Sequence, residues 1–252
     1  MDFSILFTWD GLIYLVLLSL LEIVLGIDNI IFISIVTDKM EPVQRRKARN
    51  IGITLALVVR LALLSVVAWI MGMTKPFFPD SQFEMLEHFS AQSIVLLLGG
   101  LFLIYKSTVE MHNSIKGHEE VHAKKGASLR SVITQIIMID LVFSFDSIIS
   151  AIGMTNGIRK DTGGDPIVII YIAVIISMVV MLLFAKQISD FINNRPTIKM
   201  IALGFLVTIG VILVAEAFGQ HLPKGYIYFA MVYALGVEFL NIRMRKNKGV
   251  QE

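Results

Sequence analysis

Residues 22–31 read EIVLGIDNII and residues 140–149 read DLVFSFDSII. Laid over one another at a constant offset of 118, the two stretches put Glu22 over Asp140, Asp28 over Asp146 and Asn29 over Ser147. Both lie inside hydrophobic runs long enough to cross a bilayer. A carboxylate at that depth costs about 2.5–3.5 kcal/mol or more unless it is paired or hydrated, so such residues are functional candidates by default. Four acids in two matching copies point to a cation site between two structural repeats.

The composition agrees with a membrane protein whose partner is the lipid bilayer. Of the 252 residues, 56% are hydrophobic and only 17% are charged, and the mean hydropathy is +0.75. A soluble domain of this size needs more polar surface than that. The formal charge of +2, with no basic stripe interleaved with aromatics, speaks against a nucleic-acid partner. The absence of cysteine excludes disulfides, thiolate metal sites and a cysteine nucleophile. No catalytic constellation or cofactor motif stands out, so neither an enzyme nor a bound cofactor is expected. The N-terminus MDFSILFTWDG has no basic region and no small-residue cleavage site, so the first hydrophobic segment is expected to be retained as a span.

Hydropathy predicts an all-α, polytopic chain of about seven spans, over 11–36, 51–73, 91–109, 131–154, 167–185, 198–219 and 225–242. Polar loops are expected at 37–50 and 110–130. Lys39, Arg45, Arg46, Lys47 and Arg49 fall on one side of the membrane. So do Lys106, Lys116, Lys124, Lys125 and Arg130, then Lys186, Arg195 and Lys199, and finally Arg243, Arg245, Lys246 and Lys248. The other side holds Lys75, Arg159, Lys160 and Lys224. The positive-inside rule then places the N-terminus outside and the C-terminus in the cytoplasm of a plasma membrane.

With three spans per copy of the motif, the copies enter the membrane from opposite sides. The chain reads as a single transmembrane domain: repeat one over about 11–110, an inverted repeat two over about 130–219, and an extra helix at about 225–242. The third helices align loosely, GLFLIYK at 100–106 with GVILVAE at 210–216. Inverted repeats with a polar helix in each half are a common build of secondary transporters, with the substrate near the midplane.

On an ideal helix Glu22 and Asp28 are separated by about 120° around the axis, whereas Glu22 and Asn29 share a face. Local unwinding at Gly26, or at Ser144 in the second copy, would bring both carboxylates to one cavity. Carboxylate, amide, hydroxyl and carbonyl oxygens form a hard ligand set, suited to Mn²⁺, Mg²⁺ or Ca²⁺ rather than Cu(I) or Zn²⁺. Four ionised acids around one divalent ion leave an excess of two negative charges. Arg60 in the second helix offsets one, and protonation of a carboxylate offsets the other, which is a physical basis for exchange of metal against protons. The competing reading is structural: the acids pair with Arg60 or Lys106 and only fix helix packing.

Other features carry less. Gly99, Gly100, Gly204 and Gly210 suit close helix packing. Met138, two residues before Asp140, offers a thioether, although a core methionine is the more ordinary reading. His118, Glu119 and His122 spell H-E-x-x-H, but in a short Lys-flanked loop rather than a buried helix. With His112 they read as a solvated loop, or as an auxiliary metal-handling or docking surface, rather than as a protease.

The paired segments EIVLGIDNIIFI and DLVFSFDSIISAIG resemble the signature of TerC-type integral membrane proteins, in the broader LysE transporter superfamily. The resemblance implies manganese efflux, commonly across bacterial plasma membranes. It also implies a metal site at Glu22, Asp28, Asn29, Asp140, Asp146 and Ser147, with Mn²⁺ as cargo. Chloroplast relatives are tied to thylakoid membrane assembly, so a non-transporting factor that assists metallation or assembly of other proteins is the alternative. Export of Ca²⁺ or of an organic cation is a third reading. Long members of the family carry appended soluble domains, and none is read within these 252 residues.

Overall fold

Seven α-helices carry the described residues of the computed structural model: α1 (Trp9–Asp38), α2 (Pro42–Ser65), α3 (Ala91–Lys116), α4 (Leu129–Thr162), α5 (Ile167–Asn193), α6 (Pro196–Ala217) and α7 (Gly225–Asn247). The structure describes residues 6, 8–38, 40–66, 89–116, 128–162, 167–220, 223 and 225–247. Within the helices, the side chains at 42, 43, 146, 149, 150, 152–162, 246 and 247 fall outside that description. Among the described residues, six helices are long and apolar enough to cross a membrane on their own. The other, α4, carries Asp140 and Asp146. Large apolar side chains such as Leu98, Leu183, Phe229 and Val232 are exposed on the outside of the bundle, as expected of a surface solvated by lipid chains.

Several boundaries differ from the hydropathy reading. The polar stretch at 37–50 is mostly helix, because α1 runs to Asp38 and α2 begins at Pro42. Proline suits a first helical turn, where its fixed φ is already helical and its missing N–H has no partner to lose. Arg45 closes the corner by pairing with the Asp38 carboxylate at 2.9 Å and donating to its carbonyl oxygen at 2.7 Å. Helices α3 and α5 run past their expected ends to Lys116 and Asn193. The extra turns of α5 hold a buried polar seam rather than a loop. Ser34 Oγ donates to Ser189 Oγ at 2.9 Å, and Asn193 Nδ2 reaches the Ser34 carbonyl at 3.5 Å.

Contacts between helix ends set the arrangement. Asp38, ending α1, also accepts from Lys199 Nζ at the start of α6, at 3.1 Å. Arg45, Arg46, Lys47 and Arg49 begin α2 at this same end, which is called the basic end below. At the other end, Ser65 of α2 and Tyr171 of α5 share a hydrogen bond of 2.6 Å. There too, the rings of Phe89 and Phe218 lie 6.5 Å apart, joining the start of α3 to the end of α6.

Helix α1 packs along α5, α2 along α4, and α3 along α6. The two motif helices α1 and α4 touch, as do α2 and α5, with smaller contacts of α3 with α4 and of α1 with α6. Exchanging α1–α3 for α4–α6 turns each of these pairs into itself or another of the set, whereas the smaller contacts of α1 with α2 and of α5 with α6 do not follow the exchange. Helix α7 packs on α6 at the edge of the bundle.

Candidate functional site

The centre of the bundle is organised by one cation. Arg60, only 2% exposed, is carried by α2 into the space between α1 and α4. Its Nη1 donates to Glu22 Oε2 at 2.8 Å, its Nη2 to Asp140 Oδ1 at 3.3 Å and its Nε to Ser144 Oγ at 3.0 Å. The rigid, permanently charged fork of arginine suits this task, since one side chain can hold three acceptors in fixed directions. Ser144 relays the interaction by donating to Asp140 Oδ2 at 3.3 Å. Asn29 Nδ2 donates to Asp140 Oδ1 at 3.0 Å, directly linking the two motif copies. Both Glu22 and Asp140 are buried, which charged groups at this depth tolerate only when paired and hydrogen-bonded in this way.

Asp28 faces elsewhere. Buried at 4% exposure, its Oδ2 accepts from Tyr228 Oη of α7 at 3.1 Å. It lines a cavity of about 30 Å³ together with Arg60, Ser147, Tyr228, Phe143 and residues of α6, enough for roughly one or two waters. The Ser147 hydroxyl donates to the Ser144 carbonyl at 3.3 Å. Two acceptor oxygens of the cluster, Glu22 Oε1 and Asn29 Oδ1, are buried without a hydrogen-bond partner among the described residues.

The expected unwinding is absent. Helix α1 passes through Gly26, and α4 through Ser144, as continuous α-helix. The two carboxylates of α1 therefore keep their angular separation, Glu22 turned to Arg60 and Asp28 to Tyr228. Gly26 serves close approach instead: a β-carbon there would collide with the sulfur of Met181 on α5. The equivalent position in α4, Ser144, meets Arg60 of α2. The two halves thus bring different chemistry to matching places, a thioether in one and a guanidinium in the other.

Of the residues expected at a metal site, Glu22 and Asp140 converge on Arg60 and Asn29 joins them through Asp140, while Asp28 and Ser147 share the cavity that Arg60 also lines. Asp146 lies on α4, and its side chain is outside the described residues. Met138 is 59% exposed, neither a ligand nor a core residue. His112 is exposed on α3, while His118, Glu119 and His122 lie outside the described residues. Among the described residues, no group of three or more His, Cys, Asp or Glu side chains is gathered as a bound metal would need. Sequence reasoning missed Tyr228, because α7 stood as an addition outside the repeats, and it missed Ser144 and Met181 as contacts of the motif.

The model of the integral membrane protein TerC family matches residues 7–250. The chain belongs to the TerC family. This TerC-family chain is 46% identical over 231 residues to the UPF0053 inner membrane protein YgdQ of Escherichia coli, covering 91% of the chain and 92% of YgdQ. It is 43% identical over 247 residues to a UPF0053 protein of Haemophilus influenzae, covering 96% of the chain and 99% of that relative. It is also 44% identical over 241 residues to the UPF0053 inner membrane protein YoaE of E. coli. That match takes in 95% of the chain and only 43% of YoaE, so the chain spans less than half of that relative's length. No solved structure matches.

Proposed function

We propose that this TerC-family protein is a secondary transporter of the bacterial inner membrane that exports divalent metal cations, Mn²⁺ foremost, in exchange for protons. Its N-terminus lies outside and its C-terminus in the cytoplasm. One observation carries the reading. Glu22 and Asp140, one from each motif copy, converge on Arg60 deep in the bundle, and Asp28 and Ser147 line a cavity against the same arginine. Paired acids could fix a fold with far less. The exchangeable pattern of helix contacts supports two inverted repeats, and the named relatives support an inner-membrane location.

The metal would be cargo held by carboxylate and amide oxygens, with Glu22 Oε1 and Asn29 Oδ1 offering uncommitted acceptors. Glu22, Asp28, Asp140 and Asp146 are the principal ligands, completed by Asn29 and Ser147. Since Arg60 holds Glu22 and Asp140 here, loading requires the guanidinium to yield one of them. Protonation of a carboxylate provides the matching step for release.

The Arg60 pairs also favour a second reading, in which the acids are a structural network in a non-transporting membrane factor. Flux in proteoliposomes separates the two. Wild-type protein is compared with the Asp28→Asn/Asp146→Asn variant for Mn²⁺, with Mg²⁺, Ca²⁺ and radiolabelled lysine in parallel. Mn²⁺-selective flux that responds to the pH gradient and is abolished in the variant supports export. Folded, oriented wild type that moves no cation sinks it and leaves the structural reading. Flux indifferent to the pH gradient removes the exchange.

A further inference from the structure

A second cavity, of about 170 Å³, lies toward the basic end. It is large enough for several waters, and its lining includes the polar side chains of Lys106, Ser107, Glu110, Ser131 and Gln135. Ser131 is exposed near the start of α4, whereas Ser107 and Glu110 are buried. The cavity therefore leads from the surface of the bundle into its interior. The polar groups along it suit water, as a purely apolar void of the same size would not.

This cavity and the smaller one beside Asp28 follow the same seam. On α1 the larger is lined by Val36 and Phe32 and the smaller by Asp28 and Leu25. On α4 the larger has Val132 and Gln135, and the smaller has Phe143 and Ser147. On α6, Leu203 and Leu206 give way to Ile209 and Leu213. Steps of three and four residues keep to one helical face. On α1 the face running 36, 32, 25 passes through Asn29. On α4, steps of three, four and four from Phe143 pass through Asp140 to Val132. Those are the two residues joined at 3.0 Å.

We infer that the two cavities are parts of one hydrated cation route between α1, α4 and α6, and that the Asn29–Asp140 hydrogen bond is the closure between them. The larger cavity is the vestibule reached from the basic end, and the smaller is the inner chamber. The inference rests on the transport reading for what passes through. It assigns Asn29 a positioning role in closing the route and Gln135 a place on the vestibule wall.

The protein contains no cysteine, so single cysteines report accessibility without background. A membrane-impermeant cationic methanethiosulfonate is applied from the basic end to full-length protein in sealed vesicles. Gln135→Cys is expected to react roughly ten-fold or more faster than Ser34→Cys, since a buried site labels only through local opening. Ser34 is a matched control: on α1, two residues from Phe32, it is 0% exposed and turned to Ser189. Ile209→Cys, in the inner chamber, is expected to stay unlabelled from that end until Asn29→Ala is added. Asn29→Ser, which also removes the amide donor, gives the same reading if Asn29→Ala does not fold. Gln135→Cys reacting no faster than Ser34→Cys would overturn the vestibule. Ile209→Cys labelling equally with and without Asn29 would overturn the closure. Labelling needs no cargo, so failed Mn²⁺ flux with this pattern intact costs the export reading alone, and intact flux without the pattern costs only the route.

Discussion

Gly100 of α3 and Gly210 of α6 face each other reciprocally where these two helices cross. A β-carbon on Gly100 would lie 2.6 Å from the Gly210 carbonyl oxygen, and one on Gly210 would lie 2.8 Å from that of Gly100. These two residues head the segments that align between the third helices of the proposed repeats, so equivalent positions meet each other. Backbone, unlike a flexible side chain, cannot step aside for an added methyl group.

Alanine at either position should therefore push α3 and α6 apart. Gly100→Ala and Gly210→Ala are each expected to lower stability by about 1–3 kcal/mol, the usual cost of overpacking. Gly204→Ala, on the same helix with nothing within 4 Å of the added carbon, should be neutral or gain up to about 1 kcal/mol from helix propensity. Thermal unfolding of the three variants in one detergent checks this ordering. Equal melting behaviour would mean that the crossing is looser than described.

Removing the central cation should be severe. Arg60→Met leaves Glu22 and Asp140 buried without their partner and is expected to cost about 3–5 kcal/mol. Adding Glu22→Gln should recover part of the loss, because one uncompensated charge is then gone. Yield and unfolding temperature of the single and double variants measure this coupling. A double variant less stable than Arg60→Met would contradict it.

Tyr228→Phe deletes one hydroxyl and its bond to Asp28 without changing volume. Stability is expected to change by about 1 kcal/mol. Under the export reading, apparent affinity for Mn²⁺ should weaken by about five-fold, because Asp28 loses the donor that orients it. Concentration-dependent flux tests this. Unchanged affinity would place α7 outside the functional unit as well as outside the repeats.

At the basic end, Asp38 holds both Lys199 and Arg45. The Lys199 side chain is 7% exposed and that of Arg45 is 33% exposed. Water and salt screen the more exposed pair more strongly. Lys199→Met should thus destabilise by about 1–3 kcal/mol and be insensitive to added salt, with Arg45→Met costing less than about 1 kcal/mol. Melting at low and high salt discriminates. The opposite ranking would show that the corner, not the α1–α6 tie, sets the stability of this end.

The helices were legible because hydropathy and length act locally, and each span in lipid must satisfy its own backbone. Helix ends were less so. Ser189 and Asn193 look like loop residues until Ser34 is seen to receive them, and Pro42 marks a start that the charged run after it disguises. At the site, the duplicated motif drew attention to Glu22, Asn29 and Asp140 by matching Glu22 to Asp140 and Asn29 to Ser147, but the bond from Asn29 to Asp140 was not legible in that matching. Nothing local predicts that Tyr228, 200 residues from Asp28 in sequence, lies beside it. Nor does it predict that Gly26 is a notch for Met181 rather than a break in the helix. Those outcomes depend on how α5 and α7 pack, a non-local fact that one pattern of apolar residues does not encode.

Arg60 sits where two carboxylates converge, the place a free cation would otherwise take. The protein thus carries its own counter-ion at that place, bonded to the chain and unable to leave. Under the export reading, an arriving ion has an occupant to displace, and displacing a planar monovalent fork favours a compact ion of higher charge density over sodium or potassium. Under the same reading, the tethered charge also serves the return stroke. Arg60 already balances one of the two charges of Glu22 and Asp140, so on that reading the carrier returning without cargo moves one excess negative charge among these three groups rather than two, and uptake of a single proton removes it.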